Sequence, residues 1–322
     1  MFDPRPSQDR FKDHRDRVAV DLEDAALLAL VDASRGNVPR LAEIIERAGS
    51  PLAIVEGRAH LGGRDLAIAR ALASRLDPDA VDLWAEILSD SLARSPGTTF
   101  VSVRHDAYPG NLRAVGGRPT FLFVRGGVVP DDSRAVAVVG SRKASRAGSA
   151  AARSLAAALA EAGITVVSGL AAGIDTAAHS GAIEAGGRTI ASVGTGVDRT
   201  YPADNAELAG AVERHGAVVS RFWPDAPAKA DSFRQRNVVT SGLSLATVVV
   251  EAGPMSGARL QARIALEQHR PLVLYRALVD SQPWAARLAS RPDVTVVDGA
   301  DEVCELARAL SPDPRGQQLT LF

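Results

Sequence analysis

The chain has 322 residues, 46% of them hydrophobic and 23% charged, with a formal net charge of −1. That is material for about two globular units and excludes a strongly basic protein that coats nucleic acid with its whole surface, so any such site must be local. No apolar run approaches the ~20 residues of a membrane span, and the charged N-terminal stretch lacks the apolar segment of a secretory leader, which predicts a cytoplasmic protein with no membrane attachment.

Residues 1–20 are rich in Asp, Arg and Pro and read as a flexible arm. Over 21–100 apolar residues recur at helical spacing, at Leu27, Leu28, Leu30 and Val31, then Leu41, Ile44 and Ile45, then Leu66, Ile68 and Leu72, then Leu83, Ile87 and Leu88. This predicts a small helical domain of the SAM or helix-hairpin kind, broken at Gly36 and at Gly49, Ser50 and Pro51. From 101 to 310 the rhythm changes. Short β-branched runs at 121–124, 135–139, 164–167, 189–193, 217–220, 246–250, 272–275 and 294–297 alternate with helical stretches such as 149–161, 176–184 and 260–268. Continuous apolar strands separated by helices predict an α/β fold, a doubly wound, mainly parallel, Rossmann-like sheet with helices on both faces. The single cysteine, Cys304, lies in an apolar helical pattern and reads as a small core residue, consistent with a reducing compartment. Residues 311–322 read as a disordered tail.

In an open parallel sheet, ligands bind beyond the carboxyl ends of the strands, and the glycines of this chain gather there. Gly140, Ser141, Arg142 and Lys143 follow the second predicted strand and lead into a helix whose first N–H groups suit an anion. Ser168, Gly169 and Gly173 follow the third, Gly194 and Gly196 the fourth, and Glu251, Gly253, Ser256 and Gly257 the sixth. None has the Gly-x-Gly-x-x-Gly spacing of dinucleotide sites, and no Walker-type Gly-Lys-Ser/Thr occurs, so no cofactor is implied. Phe233, Arg234, Arg236 and Asn237 combine a ring for stacking with guanidinium groups for phosphates, as a single-stranded nucleic-acid site requires; the same run also reads as a solvated helix face with Phe233 in the core. Asp175 and His179, four apart, form an acid/base or metal pair on one reading and a helix cap with a core histidine on the other. No metal site and no catalytic residue are predicted.

Taken in order, these motifs resemble the DprA/Smf family of DNA-processing proteins. The resemblance rests on Gly140-Ser141-Arg142, on Ser168-Gly169 through Gly173, Asp175, His179 and Gly181, and on Gly194, Gly196, Asp198, Arg199, Tyr201, Pro202 and Asn205. It continues in Phe233-Arg234-Gln235-Arg236-Asn237 and in Glu251, Gly253, Ser256 and Gly257, and upstream in Tyr108-Pro109 and Val124-Arg125-Gly126. It implies a dimeric protein that binds single-stranded DNA in a positive pocket and loads a RecA-type recombinase during DNA uptake. By motif, Ser141, Arg142, Ser168 and Gly169 would hold phosphate, and Phe233, Arg234, Arg236 and Asn237 would line the pocket. The sequence departs from the family at Ala172 and Val238, where arginine is usual, in the stretch after Tyr275, and in lacking a carboxyl-terminal winged-helix domain.

The last residues, with Gln318, Leu319, Leu321 and Phe322, resemble the short peptide by which replication and repair proteins dock on the DNA sliding clamp. A rival of another class remains: a nucleotide-binding sensor or hydrolase on the same fold, with Asp175 or Glu251 performing the chemistry.

Overall fold

The computed structural model describes residues 18–36, 38 and 40–311. Most of the predicted arm and the clamp-like residues Gln318, Leu319, Leu321 and Phe322 lie outside the described residues. The N-terminal helices are α1 (Leu22–Ser34), α2 (Leu41–Ala48), α3 (Pro51–Val55), α4 (Gly63–Ala73) and α5 (Ala80–Ala93). Local chemistry sets their ends. The Asp21 side chain caps α1, Gly49 at φ +73° ends α2, and Ser50 caps α3 with Pro51 in the first turn.

Then follow β1 (Thr98–Ser102), α6 (Gly110–Arg113), β2 (Phe121–Gly126), β3 (Ala135–Val139), α7 (Arg146–Glu161), β4 (Thr165–Ser168), α8 (Ile174–Glu184) and β5 (Thr189–Ser192). The chain continues through α9 (Ala206–His215), β6 (Gly216–Ser220), α10 (Ala230–Gly242), β7 (Ala246–Val249), α11 (Gly257–Glu267) and β8 (Leu272–Tyr275). It closes with α12 (Arg276–Ser281), α13 (Pro283–Ala289), β9 (Val294–Val297) and α14 (Ala300–Leu310). Each predicted strand is present to within a residue or two. The strand that spacing does not predict is β1, which follows the turn at Ser95, Pro96 and Gly97 and pairs antiparallel with β2.

The strands form one sheet in the order β1-β2-β6-β5-β4-β3-β7-β8-β9. From β6 to β9 every neighbouring pair is parallel, while β1 with β2 and β2 with β6 are antiparallel. Order reverses between β3 and β7, so the sheet is doubly wound with its switch point there. All five residues of β3 are buried because both faces are covered. Val136 and Val138 pack with α7, α8 and α14, whereas Ala135 and Ala137 face the core shared with α10 and the N-terminal helices. Cys304 is buried in the first of these layers.

The N-terminal helices have no separate core. Trp84 of α5 stacks on Trp223 at 6.0 Å between ring centroids, and Trp223 packs on Phe123 of β2 at 5.2 Å. Polar ties reinforce this contact: Asp24 meets His105 Nε2 at 3.0 Å and accepts from the Ser102 hydroxyl at 2.8 Å, and Glu46 pairs with Arg113 and Arg118.

Candidate nucleic-acid interface

At the switch point the loops after β3 and β7 diverge and leave an open crevice of about 710 Å³ on the carboxyl edge of the sheet. It gathers residues from three distant parts of the sequence: Gly140, Ser141, Arg142 and Lys143, then Phe233, Arg234, Arg236 and Asn237, then Ser256 and Gly257. A smaller recess of about 140 Å³ adjoins it, sharing Arg142 and Phe233 and adding Gly169, Ala172, Gly194 and Tyr201.

The 140–143 loop is clamped from both sides. Ser141 N–H donates to the Glu251 carbonyl at 2.6 Å, and the Ser141 carbonyl accepts from Ile174 N–H at 3.1 Å. Gly173, at φ +81°, makes that approach possible, since a Cβ there would stand 2.3 Å from the Ser141 carbonyl oxygen. Arg142 and Lys143 are left exposed. The Arg142 guanidinium lies 5.0 Å from the centre of the Phe233 ring, and the exposed Tyr201 ring lies 5.5 Å from Phe233. Phe233 fits because Gly194 lacks a side chain; a Cβ there would come within 2.8 Å of the ring.

The sequence offers the first N–H groups of α7 to an external anion, and the structure corrects this. The Ser145 hydroxyl accepts from Gly148 N–H at 2.9 Å, and the Glu251 carboxylate accepts from the Ser145 N–H at 3.0 Å and from its hydroxyl. The chain thus supplies the negative charge that this helix end favours. Gly148 admits it, because a Cβ would collide with Glu251 Oε2.

Beneath the open surface lies a buried polar group. Arg236 Nη1 stands 3.9 Å from Asp175 Oδ2, and the two residues are only 7% and 5% exposed. The guanidinium lies across Gly169, where any side chain would overlap it. Burial pushes Arg236 below the usual arginine value, with Asp175 opposing; burial likewise raises the Asp175 carboxyl, with Arg236 and the Ala171 amide opposing. His179 donates from Nδ1 to Thr189 Oγ1 at 2.7 Å, because the Thr189 hydroxyl proton is given to the Val166 carbonyl. Its Nε2 has no partner among the described residues, and burial, with Arg236 nearby, drives its pKa down to about 3. Asp175 and His179 therefore share a helix face but serve different partners, with His179 neutral. Among the described residues no cluster of His, Cys, Asp and Glu is arranged to hold a metal ion.

The other predicted residues are distributed by depth. Ser168 is fully buried and donates its hydroxyl to the Val138 carbonyl at 2.6 Å, which places it under the floor, not on the open surface. The Asn237 carbonyl accepts from Gln261 Nε2 at 3.1 Å, tying α10 to α11. Ser256 caps α11, and Arg234 points outward beside Asp231 at 3.4 Å. Of the two positions at which the resemblance leads one to expect arginine, Ala172 lines the smaller recess, whereas Val238 lines neither recess. Residues that sequence reasoning did not assign to the site are Tyr201 and Gln261, while Gly194 and Met255 come from its candidate glycine loops, Met255 being 95% exposed on the rim. Tyr201 had a signal, an aromatic-proline pair in a glycine-bearing loop.

The family model for DNA recombination-mediator protein A matches residues 99–306. The chain is 41% identical to Protein Smf of Escherichia coli over 176 residues, 54% of this chain and 47% of that protein. It is 37% identical to DNA processing protein DprA of Streptococcus pneumoniae over 169 residues, 52% of this chain and 60% of that protein. The matched part thus spans about half the length of these curated relatives. The solved structure of the Streptococcus pneumoniae protein superposes with a TM-score of 0.61 at 26% identity, covering 88% of this chain and 93% of that one. The fold is shared as well with DNA processing protein A of Helicobacter pylori, whose structure describes its single-stranded DNA binding mode (TM-score 0.58, 21% identity, 67% and 97% coverage).

Proposed function

The chain belongs to the DNA recombination-mediator protein A family, and from that premise we propose that it binds single-stranded DNA along the switch-point crevice, as a non-catalytic factor in DNA uptake or recombination. The observation that carries this is the Arg142 guanidinium over the Phe233 ring, with the exposed Tyr201 ring alongside: cations for phosphates and π-faces for unpaired bases in one open groove. Arg142 and Lys143 make the phosphate contacts with Arg234. Phe233 and Tyr201 offer stacking surface. Ser141, Ser256, Gly257 and Gly140 form the backbone wall, and Arg236, Asn237, Gly173, Ser168 and Gly169 hold the floor.

Two partners follow from the family resemblance, a second copy of the chain and a RecA-type recombinase, and a third, a sliding clamp, from the likeness of Gln318, Leu319, Leu321 and Phe322 to a clamp-docking peptide. A helical region over 21–100 and a DNA-binding region over 101–310 are the working division of a chain whose two parts share one core, and a cytoplasmic location accompanies it. The nucleotide-hydrolase reading is weakened by Glu251, whose carboxylate is engaged at the start of α7. Fluorescence anisotropy with a labelled single strand tests the proposal. Arg142→Ala is expected to weaken binding and to lower the slope of log K against log salt by about 0.7, one phosphate contact. Unchanged affinity, together with base release from nucleoside monophosphates that Glu251→Gln abolishes, would move the assignment to the hydrolase.

A further inference from the structure

Where strand order reverses, between β3 and β7, a doubly wound sheet ordinarily meets the phosphate of a ligand with the start of the helix that follows the strand. Here a residue of the chain stands in that place. Glu251, just beyond β7, reaches across the switch point with both its backbone and its side chain. Its carbonyl accepts from Ser141 N–H at 2.6 Å, and its carboxylate accepts from Ser145 N–H at 3.0 and 3.2 Å and from the Ser145 hydroxyl. The Ser145 hydroxyl in turn accepts from Gly148 N–H at 2.9 Å, and the Ser141 hydroxyl accepts from Lys143 N–H at 3.1 Å. The N–H groups of Ser141, Lys143, Ser145 and Gly148 are thus engaged within the chain. The start of α8 is treated alike: Ile174 N–H donates to the Ser141 carbonyl at 3.1 Å, and the buried Asp175 carboxylate accepts from Ala171 N–H at 3.4 Å.

What this leaves for a ligand beside Phe233 is the side-chain charge of the exposed Arg142 and Lys143. A diester phosphate inside a strand carries one negative charge and is served by such cations. The phosphate monoester of a mononucleotide, or of a strand end, carries about −1.5 to −2 at pH 7 and is the anion a helix start favours most. Glu251 sets a like charge in its path. We propose that Glu251 is a specificity-determining residue of the crevice: its carboxylate occupies the anion position at the start of α7, turns away phosphate monoesters and restricts the site to the interior of a single strand. This selectivity rests on the single-strand reading of the crevice. Gly148 belongs to the same device, because a Cβ there would collide with the carboxylate. A mononucleotide offers the same base, sugar and phosphate as the strand, so attraction alone separates the two poorly and a repulsive element does the sorting.

The test compares the full chain as wild type, Glu251→Ala and Glu251→Gln, the last keeping the shape of the side chain without its charge; circular dichroism and melting temperature report folding. Anisotropy of a labelled oligothymidylate of about 5 nucleotides is followed while thymidine monophosphate or thymidine is added at constant ionic strength. The same oligothymidylate is also measured with and without a terminal phosphate monoester. For wild type the expected result is that thymidine monophosphate displaces the strand no better than thymidine, and that the terminal phosphate brings no gain in affinity. In Glu251→Ala thymidine monophosphate should compete about tenfold better than in wild type, with a smaller gain in Glu251→Gln. Should the alanine variant fail to fold, the wild-type and glutamine arms decide. Equal competition by thymidine monophosphate in wild type and the folded variants, or a wild type that prefers the strand with the terminal phosphate, would overturn the selectivity and leave the crevice reading standing. No binding of the oligothymidylate by wild type in either form would sink both.

Discussion

Arg236 is the residue on which the floor of the site depends. It is buried and, among the described residues, has one carboxylate at 3.9 Å and no partner for its Nε, so Asp175 balances a largely desolvated charge. Asp175→Asn should therefore destabilise the fold by about 3 kcal/mol, read by urea denaturation, and an unchanged midpoint would remove the pair from the account. His179 adds a pH signature. Its pKa is driven from 6.5 down to about 3, so the unfolded chain binds the proton first and stability falls as pH drops through that window, by up to about 1.4 kcal/mol per pH unit. Asp175 has the opposite sign, since its raised carboxyl gives stability that is present below 3.8 and lost as pH rises through the folded value. Comparing wild type with His179→Gln isolates the histidine: the variant should lose less stability on acidification from about pH 6.5 to 4, and parallel curves would contradict a buried neutral ring. Gly173 is the corresponding backbone residue. Gly173→Ala places a Cβ at φ +81° against the Ser141 and Arg142 carbonyls and should cost about 2–3 kcal/mol while weakening DNA binding by displacing the 140–143 loop.

At the scale of elements, α10 is what turns a set of loops into a site. It carries Phe233 to the surface and Arg236 into the interior, three residues apart on a single helix. Phe233→Ala should weaken single-strand binding by about 1–3 kcal/mol with little change in salt slope, because stacking releases no counterions. A loss confined to the slope would mean that the ring does not meet a base. The strands and glycine loops that frame α10 are legible in the sequence, because a parallel strand buried on both faces needs an unbroken apolar run and a sharp strand-to-helix turn needs glycine. The depth of each side chain is not legible. Whether Arg236 faces solvent or Asp175, and whether Ser168 meets a ligand or the Val138 carbonyl, depends on where a helix distant in sequence crosses the strand ends. The same holds for Glu251, which is 106 positions from the Ser145 amide it caps. β1 escaped because it is a short antiparallel edge strand directly after a helical run, where spacing carries little signal.

For the whole molecule, the N-terminal helices and the sheet act as one folded body through Trp84, Trp223 and the phenylalanines of β1 and β2. Trp84→Ala should lower stability by about 3–5 kcal/mol in a single denaturation transition, whereas two separate transitions would show that the helices fold on their own. The near-neutral net charge keeps long-range attraction to DNA weak, so the proposed affinity is assigned to the crevice where Arg142, Lys143 and the aromatic pair meet. The direct test is anisotropy of a labelled single strand against the matched duplex across a salt series. Tighter binding of the single strand, falling linearly in log K against log salt, is the predicted result; no single-strand binding at low salt, or equal binding of the duplex, would contradict the account.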